Sequence, residues 1–208
     1  YPHMNSLGGD GFWLIVPPAG EPIAIDASGP AGSLATMERY AGMPHIPVRG
    51  AGAALTVAGT VGGWQEALKV SAELGGKLPL PRLLADAIYY AESGIPVTPS
   101  QHLATASKKA ELQDIPGFAE TFLHNGEAPV AGSLFKQTRL AGTLRTLAEQ
   151  GLDSFYRGSL ADSIADDLQT LGSPVTRSDL ANYRARRVRA LTLKHSTGTV
   201  FNLPPPSQ

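Results

Sequence analysis

Hydrophobic positions along this chain change period twice, dividing it into a strand region, a helical region and a second strand region. Trp13-Leu14-Ile15-Val16 is a continuous aromatic and β-branched run, as expected of a buried strand. Pro17-Pro18-Ala19-Gly20-Glu21-Pro22 interrupts it, and Ile23-Ala24-Ile25-Asp26-Ala27 reads as a returning strand. Residues 29–54 are rich in Gly, Ala and Pro without a period. They predict a long ordered loop, or a loop with a short helix near residues 34–40.

Helical spacing then takes over. A helix is expected over residues 64–74, closed by Gly75-Gly76. The next opens with Pro81 in its first turn, carries Leu83, Leu84, Ala87, Ile88 and Ala91 as an apolar stripe, and stops at Gly94. A more polar helix follows over residues 100–112. Another spans 137–149, with Leu140, Leu144 and Leu147 on one face and Gly151 after it. Ser159 and Asp162 have capping-box spacing for a helix over 159–171, in which Leu160, Ile164, Leu168 and Leu171 share a face. Thr176 and Asp179 repeat that arrangement for a short helix through Tyr183. Residues 188–194 and 199–203 flank Ser196-Thr197-Gly198 and predict a hairpin of two strands. The fold class is α/β or α+β, with a large helical block between terminal strand pairs.

Composition narrows the functions. The chain has 208 residues, enough for one large domain, and is 42% hydrophobic. A net charge of -1 gives no electrostatic case for nucleic acid or an anionic membrane as a partner. No apolar run approaches the roughly 20 residues that span a bilayer. With 0 cysteines there are no disulfides and no thiolate chemistry, which fits a reducing compartment but is common in exported proteins too, so the compartment stays open with the cytoplasm slightly favoured over the periplasm. Histidines at 3, 45, 102, 124 and 195 include no pair at i, i+4, so no bound metal is expected, and no cofactor motif is found that would predict a cofactor. Gly8-Gly9-Asp10-Gly11 precedes a strand rather than opening a helix, unlike a dinucleotide fingerprint. Ser28-Gly29 and Ser196-Thr197-Gly198 lack a nucleophile-elbow context, and no complete catalytic set is present. The start at Tyr1-Pro2-His3-Met4 and the stop at Pro204-Pro205-Pro206-Ser207-Gln208 suggest a piece of a longer protein, so residues 1–208 are expected to be a single incomplete domain. Alone, such a piece should be poorly soluble or self-associating.

Several motifs in register resemble one family. They are Gly8-Gly9-Asp10-Gly11-Phe12, Thr60-Val61-Gly62-Gly63-Trp64, Leu84-Ala85-Asp86-Ala87-Ile88, and Ala91 through Gly94-Ile95-Pro96-Val97-Thr98. Leu140-Ala141-Gly142-Thr143-Leu144, Phe155-Tyr156-Arg157-Gly158, Thr176 through Tyr183, and Asn202 through Gln208 continue in the expected order. Read together they resemble the middle of the large subunit of the γ-glutamyltransferases, a branch of the N-terminal nucleophile (Ntn) hydrolases. The resemblance implies a partial αββα sandwich and a precursor that cuts itself to free an N-terminal threonine on a small subunit. That threonine supplies both hydroxyl nucleophile and amine base and forms an acyl-enzyme. It lies outside this chain, so no catalytic residue is assigned here and the chain alone should be inactive. The implied partner is the small subunit of the same precursor, giving a heterodimer or heterotetramer with a small-molecule amide substrate.

One departure bears on that substrate. Family transferases carry an Arg two residues after the aspartate of the returning strand, where it clamps a substrate carboxylate; Asp26-Ala27-Ser28-Gly29 puts Ser28 there. A neutral hydroxyl cannot form the bidentate charged pair of an Arg with a carboxylate. The expectation is a small-amide hydrolase of the oxamate amidohydrolase branch. The alternatives are a genuine γ-glutamyl transpeptidase, with Arg39 or Arg49 as a replacement clamp, and a non-enzymatic binding protein on a degenerate copy of the fold. In the segment His3-Met4-Asn5-Ser6, Asn5 and Ser6 offer neutral donors and acceptors for a small amide, or else cap the local backbone. Asp10 reads as a tight-turn aspartate or a pocket residue. Arg184, Arg186, Arg187 and Arg189 form a solvated face or a contact with the missing half.

Overall fold

The computed structural model describes residues 4–207, so Tyr1, Pro2, His3 and Gln208 lie outside the described residues. In chain order the elements are β1 (Gly11–Ile15), β2 (Ile23–Ala27), α1 (Thr60–Glu73), α2 (Leu80–Ser93), β3 (Ile95–Pro96) and α3 (Pro99–Leu112). Then come α4 (Phe118–Phe122), β4 (Leu134–Phe135), α5 (Thr138–Gln150), α6 (Ser154–Arg157) and α7 (Ser159–Thr170). The last four are α8 (Arg177–Asn182), β5 (Arg186–Arg189), β6 (Leu191–His195) and β7 (Gly198–Asn202).

These elements form two compact units, one of residues 4–5 and 78–149, the other of residues 6–77 and 150–207. The first is largely helical. Pro81 lies in the first turn of α2 and Gly94 ends it at φ 93°. Thr98 caps α3 by accepting the Gln101 N–H. The short β3–β4 pair and the rings of Phe118, Phe122 and Phe135 complete this unit.

The second unit carries a three-stranded antiparallel sheet in the order β1-β2-β5. Helix α1 lies on one face of it, where Ile25, Ala67 and Val70 form a core with Ile15, Ile23 and Ala185 against it. Fully buried Tyr156 of α6 packs its ring 5.0 Å from those of Phe155 and Tyr183. At α8 the box forms as the sequence predicts: Thr176 accepts the Asp179 N–H, and Asp179 accepts the Thr176 N–H. The separate β6–β7 hairpin leaves Leu191, Leu193 and Val200 exposed.

Several expectations are corrected. The buried strand is β2, which has a neighbour on each side; β1 is an edge, with Phe12 and Trp13 37% and 38% exposed. The strand expected over 188–194 breaks at buried Ala190, because β5 pairs with β2 while β6 pairs with β7. No box forms at α7: Gly158 is its N-cap, Ser159 is already helical, and Asp162 pairs with Arg177 instead. Residues 34–40 form turns rather than a helix, leaving the ordered loop, which Tyr40 pins by donating to Gly52 O at 2.8 Å. Helix α1 starts at Thr60, four residues earlier than its apolar pattern, and α4, α6, β3 and β4 had no clear pattern.

Candidate functional site

Side chains alternate along β2, so Ile25 faces α1 while Asp26 lies on the opposite face. The register places Phe12, Asp26 and Arg186 in a row across β1, β2 and β5. Asp26 is 7% exposed, and a buried carboxylate needs partners. It has three: the Ser28 N–H at 2.9 Å and the Ser28 hydroxyl at 2.6 Å donate to Oδ1, and Arg186 Nη2 donates to Oδ2 at 2.8 Å. Burial alone raises the Asp26 pKa, but Ser28 and Arg186 outweigh it and hold the carboxyl below the ordinary carboxylate range. The Ser28 hydroxyl proton is therefore committed to Asp26, and its oxygen faces other groups only as an acceptor.

Two glycine-rich turns meet the end of β2. Gly29 N–H donates to Asp10 Oδ1 at 2.9 Å, and Thr60 N–H and Oγ1 both lie 2.8 Å from Gly9 O. Backbone approach here excludes any side chain: a Cβ on Gly29 would stand 1.5 Å from Val57 O, and one on Gly59 would stand 1.9 Å from Ala27 O. Tyr156 Oη accepts the Gly62 N–H and donates to Ala58 O, both at 2.8 Å. Tyr183 Oη donates to Gly59 O at 3.4 Å. Burial pushes both phenols up, so they stay protonated and act as fixed hydrogen-bonding struts for the turn.

The other residues singled out in the sequence are dispersed. Ser6 Oγ accepts the Gly8 N–H at 3.3 Å, the local backbone bond open to it. Asn5 is exposed and lines a cavity of about 230 Å³ in the helical unit with Tyr90, Phe135 and Leu140. Arg39 donates to Gly172 O beside a cavity of about 650 Å³ that Asp162 and Arg177 also line. Arg49 donates to Val48 O. In the basic run, Arg187 grips Glu73 through two nitrogens at 2.7 and 2.9 Å, and Arg184 donates to Ala181 O and Tyr183 O. Among the described residues, no group of three or more His, Cys, Asp or Glu is placed to hold a metal. Sequence reasoning missed the Asp26–Arg186 pair, because it depends on strand register. It also missed the Tyr156 strut, although Phe155-Tyr156-Arg157-Gly158 stood out as a motif.

The chain as a whole resembles known proteins. The family model described as gamma-glutamyltranspeptidase matches residues 1–208. The chain belongs to that family. Within it, the chain is 66% identical to the oxamate amidohydrolase proenzyme of Klebsiella pneumoniae, covering 100% of this chain and 40% of that protein. The gamma-glutamyltranspeptidase of Helicobacter pylori superposes with a TM-score of 0.91 at 27% identity, over 99% of this chain and 59% of that one. Cephalosporin acylase from Bacillus halodurans superposes at 0.87 and 35% identity, over 98% of this chain and 39% of that one. The fold is thus the Ntn-hydrolase αββα type, present in part. The chain spans about two fifths of the length of the oxamate amidohydrolase proenzyme.

Proposed function

We propose that this chain is the substrate-shaping part of an amide-bond hydrolase that acts through an acyl-enzyme on an N-terminal threonine outside residues 1–208. The substrate is a small amide of the oxamate type rather than glutathione, and the mature enzyme pairs this region with a small subunit cut from the same precursor. The observation that carries the substrate reading is Ser28. It stands where a transferase needs a cation, and its hydroxyl is tied to Asp26 at 2.6 Å. A group in that state accepts an amide N–H and leaves position 28 itself without the cation that would clamp a γ-glutamyl carboxylate. The likeness to an oxamate amidohydrolase proenzyme supports the same reading.

The test is an assay of the complete gene product, after self-cleavage, against oxamate and against a γ-glutamyl anilide. Ammonia release from oxamate with little anilide turnover is the expected result. Robust anilide turnover without oxamate hydrolysis would replace this reading with that of a γ-glutamyl transpeptidase. A precursor that never cleaves would point to a non-enzymatic binding protein.

A further inference from the structure

The two oxygens of Asp26 hold two different side chains, and only one of those is fully committed. Ser28 gives its single hydroxyl proton to Oδ1. Arg186 reaches Oδ2 through Nη2 alone, and its side chain is 72% exposed against 8% for Asp26. A guanidinium has five N–H donors, so most of those on Arg186 remain available. Neighbouring arginines differ. Arg187 is held by Glu73 and Glu66, Arg184 by two carbonyls, and Arg157 by Asp153 and two carbonyls. Among the described residues, Arg186 is the guanidinium that touches the Asp26–Ser28 pair.

We propose that Arg186 binds the carboxylate of the substrate. The cation that the resemblance would place at position 28 of the sequence comes instead from the adjacent strand β5, one register step across the sheet. This inference rests on the oxamate-type reading above. A short amide that carries a carboxylate presents an anion at one end and N–H donors at the other. Arg186 and the Ser28 oxygen, joined through one carboxylate, offer a donor fork and an acceptor in matching order. Phe12, across from Asp26 on β1 and 37% exposed, supplies an apolar neighbour. The negative charge of Asp26 weakens the pull on an incoming anion, but its bond to Nη2 restrains one end of the guanidinium, so less side-chain freedom is lost on binding.

The experiment compares oxamate with oxamide, its neutral diamide, as substrates of the complete self-cleaved protein and of Arg186→Gln and Arg186→Lys. Arg186→Lys keeps an ion pair to Asp26, so the fold is preserved even if Arg186→Gln is unstable; cleavage yield and melting temperature report folding. The wild type should prefer oxamate. Arg186→Gln should lose about 30-fold or more in kcat/KM for oxamate, mainly through KM, with oxamide changed far less. Arg186→Lys should fall between, because an ammonium cannot form the bidentate pair. Equal losses on both substrates in Arg186→Lys, or no loss on oxamate, would overturn the proposal while leaving the oxamate reading intact. A wild type that ignores oxamate and turns over a γ-glutamyl anilide would overturn both.

Discussion

Ser28 and Tyr156 show how much single side chains decide here. Replacing Ser28 by Arg places a cation two residues from Asp26, in the manner of the family transferases. Ser28→Arg in the complete protein is therefore expected to gain measurable release of product from a γ-glutamyl anilide and to lose oxamate hydrolysis. Paired assays on the two substrates would show it, and loss on both without gain would mean that position 28 does not select substrate. Tyr156 donates to Ala58 O and accepts from Gly62 N–H in a buried setting. Tyr156→Phe leaves both backbone groups unsatisfied, at a cost of about 1–3 kcal/mol for each group. Urea unfolding should show a lower midpoint with little change in slope. Arg187, by contrast, pairs with Glu73 and Glu66 near the surface, so Arg187→Ala should lower the urea midpoint less than Tyr156→Phe does.

At the scale of elements, two helices had the same cap spacing in sequence and only one uses it. Thr176→Ala removes a formed cap of α8 and should cost about 1 kcal/mol. Asp179→Ala should cost more, because Asp179 Oδ2 also accepts the Ser33 N–H and hydroxyl, both at 3.0 Å, tying the 29–57 loop to α8. Asp162→Ala at α7 should fall near the surface-pair level, because Asp162 caps nothing and pairs with half-exposed Arg177. Thermal melts should show the largest drop for Asp179→Ala, a smaller one for Thr176→Ala and the smallest for Asp162→Ala. The contrast explains what the sequence could reveal. Local punctuation such as Pro81, Gly94, Gly151 and Thr176 marks helix ends through backbone geometry that acts within a few residues, and those ends were legible. Which strand is central, where 188–194 divides and what Asp26 binds depend on partners more than a hundred residues away, such as Arg186. No local pattern records that pairing. Ser28 was singled out as a candidate only through family resemblance, and its bond to Asp26 was not legible.

Across the whole molecule, acid should act through a few aspartates. Asp26, Asp153 and Asp179 all have folded pKa values lowered from 3.8. At Asp26 and Asp179 burial opposes ionisation and hydrogen bonds overcome it; at Asp153 the Arg157 guanidinium is the main cause. A lowered folded pKa stabilises the native state above 3.8 and loses that contribution as pH falls through the folded value. Melting temperature should therefore drop below about pH 4, and an Asp26→Asn variant should show a shallower drop from an already lower plateau. The β6–β7 hairpin exposes Leu193 and Val200 directly opposite each other. A Leu193→Lys, Val200→Thr double variant of residues 1–208 should sediment as a smaller species than the unaltered chain, because the exposed apolar pair favours association. The backbone crossings at Gly29 and Gly59 constrain descent as well as folding. Gly151 has a φ of 85° with no atom within 4 Å of an added Cβ, so a replacement there strains its own backbone but meets no neighbour. Gly29 and Gly59 have no such latitude, since any side chain would enter a neighbouring carbonyl. In a saturation library selected for activity, these two positions should return glycine alone, and lineages that exchange one amide for another should diverge around them without altering either.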